Sequence, residues 1–158
     1  MSVRLRRLQA DYESVRRLVR RHPRIEIEGV SGMPPDKYRF RLSVRSLVRE
    51  GTDTRVLDTH RVELNLPGTY PRDPPNCRML TPVFHPNIAP HAICVGDLWT
   101  AAESLVSLIQ RIGEMLAFQS YNVKSPLNGE AALWVKEHLD RLPVDPDEFF
   151  MELDADGN

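Results

Sequence analysis

Cysteine is scarce in this chain: Cys77 and Cys94 are the only two among 158 residues. Two cannot build a disulfide framework, so each thiol is either a small core residue or a nucleophile. Lysine is scarcer than the charge suggests, since only Lys37, Lys124 and Lys136 stand among 21 basic residues. No apolar run approaches the ~20 residues a membrane helix needs. The opening Met-Ser-Val-Arg-Leu-Arg-Arg has no apolar centre of the secretory kind, so a cytoplasmic chain is expected. Aromatic interleaving is missing from the basic segment apart from Tyr12, and with a pI near 6.5 this argues against a nucleic-acid partner.

The charge that is present is unevenly placed. Residues 1–24 carry eight arginines against Asp11 and Glu13, and residues 137–158 carry eight acids against Arg141. The two ends are therefore suited to different surfaces. At 158 residues the chain is the size of one domain, expected over 1–153 with an acidic tail at 154–158.

Periodicity supplies the elements. Leu5, Leu8, Tyr12, Val15 and Leu18 recur at steps of three and four, predicting an amphipathic first helix with Arg4, Arg7, Asp11 and Arg17 outward. Ile25 and Ile27, then Tyr38, Phe40, Leu42 and Val44, then Val62, Leu64 and Leu66 alternate with polar residues. They predict an antiparallel meander with a polar turn at 50–54, and a short strand at 77–81 adds a fourth member. Seven prolines between 67 and 90 exclude helix there, leaving ordered loop of the kind that carries sites. Leu105, Leu108, Ile109, Ile112, Met115 and Leu116 predict a core helix, and Asn128 can cap another through Ala131, Ala132 and Leu133. Asp145-Pro146-Asp147-Glu148 has the pattern of a cap, a first-turn proline and a capping-box glutamate, predicting a last short helix through Phe150. The fold class is α+β.

Cys94 lies in Ala-Ile-Cys-Val-Gly-Asp-Leu-Trp, downstream of His85, Asn87 and His91. A nucleophilic thiol needs access, thiolate stabilisation and donors for the oxyanion of an attacked carbonyl, and these neighbours could supply them. The pattern alone favours a buried small hydrophobe between Ile93 and Val95, and Cys77 reads as core. Cys77, His85, His91 and Cys94 have zinc-ligand chemistry, but their spacings of eight, six and three lack close-set pairs, so no metal is expected. A Cys-His hydrolase would need a base with an orienting partner, which the sequence does not display.

Tyr70-Pro71-Arg72-Asp73-Pro74-Pro75, His85-Pro86-Asn87-Ile88 and Ile93-Cys94, in that order and spacing, resemble the ubiquitin-conjugating enzyme family. Trp99, the helix from Leu105 and Ser125-Pro126-Leu127-Asn128 are similar to its later landmarks, so the likeness runs from residue 1 to about 142. The resemblance implies that family's fold: an N-terminal helix, a four-stranded antiparallel meander, a long active-site loop, a central helix and short C-terminal helices. It implies that Cys94 takes a ubiquitin-like protein from an activating enzyme as a thioester and passes it to a target's lysine or another acceptor, with no cofactor of its own. Asn87 then supports the oxyanion or the loop, His85 is structural, and the arginine face of the first helix, with Arg4, Arg7 and Arg17, docks the activating enzyme, with which a stable complex is conceivable. The alternative is a non-catalytic scaffold of the same fold that binds ubiquitin-like proteins.

Departures from the family pattern are informative. The acid that usually precedes the Pro-Leu pair is matched by Ser125, leaving Asp97 or His91 to assist the incoming amine. The Asn87–Cys94 and Cys94–Trp99 intervals are short, and only one short helix is expected after the third. The chain therefore looks most like the stand-alone conjugating enzymes of bacterial ubiquitination-like operons, and a role in antiphage defence follows only by that analogy.

Overall fold

The computed structural model describes residues 2–95 and 99–153. Helix α1 (Val3–Arg21) begins where the Ser2 side chain accepts the Leu5 N–H, and ends at His22 before Pro23. Its buried stripe is Leu8, Asp11, Val15 and Leu18. Asp11 is thus not on the outward face that periodicity suggests. A carboxylate can be buried there because Tyr70, 59 residues away, donates its hydroxyl to it and the Arg7 Nε lies 3.0 Å away.

The main sheet is antiparallel, in the order β1 (Ile25–Gly32), β2 (Pro35–Leu42), β5 (His60–Asn65), β6 (Asn76–Met79). The polar turn at 50–54 does not join β2 to β5 directly, as the meander reading had it. It closes a separate hairpin, β3 (Ser46–Glu50) and β4 (Asp53–Leu57), with Gly51 at φ +61°. Leu47 of this hairpin packs with Phe84, Phe118, Ala131 and Val135, a small second core that removes β3–β4 from the sheet. On the inner face of the sheet, Tyr38, Phe40, Leu42, Val62 and Leu64 are fully covered by α1 and α2 (Leu105–Leu116). The outer face carries pairs that cross strands, Glu26–Arg41, Glu28–Arg61 and Glu63–Arg78.

After β6 the chain makes a two-rung hairpin, β7 (Ile88–Ala89) with β8 (Ala92–Ile93). Then follow α2, capped by Ser104, and α3 (Gly129–Glu137), capped by the Asn128 side chain on the Ala131 N–H. Leu133 of α3 faces solvent, and Val135 is the buried member with Ala131 and Ala132.

The expected helix over 145–150 does not form. A 3-10 turn at Leu139–Arg141 is followed by extended chain, a strap lying along α2. Its backbone is claimed by distant side chains. Gln110 donates to Met151 O at 3.0 Å and accepts Met151 N–H at 2.7 Å. Gln119 donates to Asp145 O and Asp147 O and accepts Phe149 N–H, and His22 Nε2 lies 2.6 Å from Phe149 O. With those partners available, the local capping pattern loses to tertiary bonds, and Asp145 closes only a turn onto the Asp147 N–H. Phe149 is buried against Gly113, where a β-carbon would overlap its ring. The acidic tail at 154–158 lies outside the described residues.

Candidate active site

The loop that carries the candidate residues is built outward from His85. That side chain is fully buried, its Nδ1 accepts the Asn87 N–H at 3.0 Å, and its Nε2 is 2.7 Å from Met115 O at the end of α2. The acceptor role of Nδ1 fixes the proton on Nε2, so the ring is neutral and tethers loop to helix. It stacks on Phe118 at 4.7 Å between centroids. Phe118 ends α2 in the left-handed region, φ +56°, with no glycine to mark the turn. Burial pushes the His85 pKa down to about 4.

This burial has a thermodynamic sign. His85 binds its proton less readily folded than unfolded, where a histidine titrates near ~6.5. Its contribution to stability is therefore complete above ~6.5 and declines as pH falls toward 4. His22 and His60, both also lowered by burial, act in the same direction. Urea unfolding at pH 7.5 and pH 4 is expected to show a loss of about 3 kcal/mol traceable to His85. A His85→Gln variant should show a shallower pH slope; an unchanged slope would exclude His85 as its source.

Asn87, 5% exposed, closes the other side. Its Nδ2 donates to Asn122 O at 2.7 Å and its Oδ1 accepts Asn122 N–H at 2.9 Å. The carboxamide thus grips both main-chain polar groups of one residue in the 119–128 loop. One Nδ2 hydrogen is left over, because an amide nitrogen carries two. Pro86 O adds two bonds, from the N–H groups of Leu127 and Asn128, and so ties the start of α3 to the same segment. Asn122 is not among the sequence candidates, since the atoms it contributes are main chain and carry no side-chain signature.

Cys94 follows β8 directly, and its N–H donates to Asn87 O at 3.0 Å. Ile93 and Val95 are buried while Cys94 is half-exposed, the two-residue alternation of extended chain. The structure therefore brings Cys94, Asn87 and His85 together on one backbone framework. Cys77 sits elsewhere, buried in β6, where burial alone pushes its thiol up to about 12.

The remaining sequence candidates are placed as follows. His91 is exposed on the β7–β8 turn and lines a small cleft with Glu63, Asn65, Asn76, Cys77 and Arg78. Ser125 is exposed on the loop that Asn87 grips. Asp97 lies outside the described residues. Arg4 is half-buried and reaches Pro67 O at 3.1 Å, Arg7 is bonded to Asp11, Ala101 O and Glu103 O, and Arg17 leans on Ser14. Arg6, Arg16, Arg20 and Arg21 are the exposed cations of α1. Among the described residues no three His, Cys, Asp or Glu side chains converge as a metal site, and no helix is long and apolar enough to cross a membrane.

Comparison with known proteins bears on the family and the fold. The family model "Ubiquitin-conjugating enzyme" matches residues 56–142. The chain is 33% identical over 132 residues to ubiquitin-conjugating enzyme E2 2 of Candida glabrata, covering 78% of this chain and 76% of that one. The Saccharomyces cerevisiae protein of the same name is also 33% identical, over 78% of this chain and 74% of its own length. Among solved structures, the E2 domain of a Toxoplasma gondii ubiquitin conjugating enzyme superposes with a TM-score of 0.61 at 22% identity, covering 85% of this chain and 87% of that one.

Proposed function

Because the chain belongs to the ubiquitin-conjugating enzyme family, we propose that Cys94 is its thioester-forming residue. Sγ attacks the activated C-terminal carbonyl of a ubiquitin-like protein held on an activating enzyme, the new thioester forms, and the activating enzyme's thiol leaves. An acceptor amine, a target lysine, then attacks the same carbonyl carbon; the amide forms and the Cys94 thiolate departs. The observation that carries this reading is the half-buried thiol held next to Asn87 by a main-chain bond, on a loop that His85 and Asn87 support with their side chains.

The protein's part is mainly positioning, since a thioester is already activated. Asn87 has one N–H free of Asn122 with which to meet the oxyanion, and His85 keeps the loop in place. The helper role at the amine falls to Asp97 or His91, in view of Ser125. The exposed cations of the arginine-rich α1, Arg6, Arg16, Arg20 and Arg21, with Arg4 and Arg17 at their margin, dock the activating enzyme, whereas Arg7, expected among these contacts, is turned inward onto Asp11, Ala101 O and Glu103 O. Within the family we assign the chain to a bacterial ubiquitination-like pathway, with antiphage defence as the setting by analogy alone. In keeping with the pathway, a 3-10 turn and an extended strap rather than a helical pair follow α3 among the described residues.

The test is incubation with the cognate activating enzyme, ATP and modifier. A reductant-sensitive adduct mapping to the peptide of Cys94 is the expected product; its absence with a competent activating enzyme would mark a binding scaffold instead. Asn87→Ala is expected to slow discharge onto lysine by about 10²–10³-fold while charging persists, the loss typical of one oxyanion donor. Parental discharge together with a loosened 119–128 loop would confine Asn87 to its grip on Asn122.

A further inference from the structure

Arg7 is the most highly bonded side chain on α1, and none of its bonds stays within the exposed face of that helix. Its Nε lies 3.1 and 3.0 Å from the two Asp11 carboxylate oxygens, Nη1 donates to Ala101 O at 2.7 Å, and Nη2 to Glu103 O at 2.6 Å. The guanidinium also lies 5.3 Å from the Tyr70 ring centroid. Tyr70 in turn gives its hydroxyl to Asp11 and packs on Trp99, and the Trp99 indole N–H donates to Pro71 O at 2.9 Å. A single planar cation thus ties α1 to the segment 99–104, which leads into α2. Trp99 stands only five residues beyond Cys94.

We infer that Arg7 is a positioning residue for transfer from Cys94, holding the 99–104 segment as a fixed wall downstream of the thiol. Cys94 is held from upstream by the Asn87 carbonyl and the β7–β8 hairpin; Arg7 and Trp99 hold the chain downstream of it. The inference rests on Cys94 as the reacting thiol. Its geometry needs a fork. Three acceptors in different directions suit the five N–H groups of a guanidinium, whereas an ammonium could remain beside Asp11 but could not also reach both carbonyls. Arg7→Lys therefore separates the two jobs, keeping a cation for the buried carboxylate while releasing the segment.

The experiment has a spectroscopic and a kinetic reading, each on Arg7→Lys and Arg7→Ala. In a Trp134→Phe background Trp99 is the sole indole. Its emission is expected to move to the red and its quenching by acrylamide to rise in both variants, with the thermal midpoint of Arg7→Lys near parental. With ubiquitin, its activating enzyme and ATP as the charging probe, single-turnover discharge onto free lysine should fall about tenfold or more at saturating lysine, with half-saturation unchanged. Parental Trp99 emission in Arg7→Lys, or parental discharge from a charged Arg7→Lys protein, would overturn the inference. A parent protein that takes no adduct from this probe counts against ubiquitin as its modifier, not against Arg7, and the Trp99 measurement then decides the inference.

Discussion

Cys94→Ala is expected to abolish the reductant-sensitive adduct altogether, and Cys77→Ala to leave it at parental yield. The physical contrast between the thiols is large. Cys77 lies in the sheet among apolar core residues, and burial pushes its thiol up to about 12, so it stays a thiol at neutral pH. Its sulfur is buried beside Pro75 O at 3.6 Å, with the residue only 6% exposed, which leaves little room for an incoming protein carbonyl. Cys94 is half-exposed, and its neighbours Ile93 and Val95 anchor it from within the core. Trimming Cys77 should cost stability, in the range of small core truncations, about 1 kcal/mol. Adduct yield read on non-reducing gels, with unfolding measured in parallel, separates chemistry from folding. An adduct that survived Cys94→Ala and vanished in Cys77→Ala would reverse the assignment.

Phe149→Ala should be the most destabilising of the substitutions considered, by about 3–5 kcal/mol in urea unfolding. The ring is 1% exposed, packs at 4.5 Å on His22, and fills the space left by the missing side chain of Gly113. Arg24 covers its other side at 5.0 Å and pairs with Asp145. Losing the ring uncovers α2 and leaves Gln110, Gln119 and His22 without the backbone groups they now bond, which adds unsatisfied buried polar atoms to the cavity cost. Against a total stability of ~5–15 kcal/mol this is a large share. A fall in denaturant slope alongside the midpoint would show the strap detaching before global unfolding. A loss below ~1 kcal/mol would place the strap outside the cooperative core.

The strap also shows where sequence reasoning ran out. The pattern Asp-Pro-Asp-Glu is a sound local start signal, and it failed because the deciding partners, His22, Gln110 and Gln119, are tens of residues away. Asp11 failed for the same reason, its partner Tyr70 being invisible to helical periodicity. The β3–β4 hairpin was half seen. Its turn was legible in Gly51, but Leu47 and Val48 gave no alternation to reveal that the flanking strands leave the sheet for a second core. By contrast α1, the alternating strands, the α2 stripe and the Asn128 cap are written in nearest-neighbour terms and were read directly. At the site, motif spacing singled out Cys94, Asn87 and His85. It could not show that Asn87 grips the Asn122 main chain, or that Arg7 is turned inward rather than left for a partner.

The crossed ion pairs on the outer face of the sheet have a consequence for assembly. In the register of β2 and β5, Arg41 stands directly opposite Arg61, a like-charge pairing that disfavours those two strands on their own. Both arginines are relieved by the same edge strand, since Glu26 takes Arg41 and Glu28 takes Arg61. β1 thus offsets the one like-charge pair in a β2–β5 register that elsewhere sets Arg39 opposite Glu63, by the ~0–1 kcal/mol that exposed ion pairs contribute. The edge strand in this way favours the same register as the inner two.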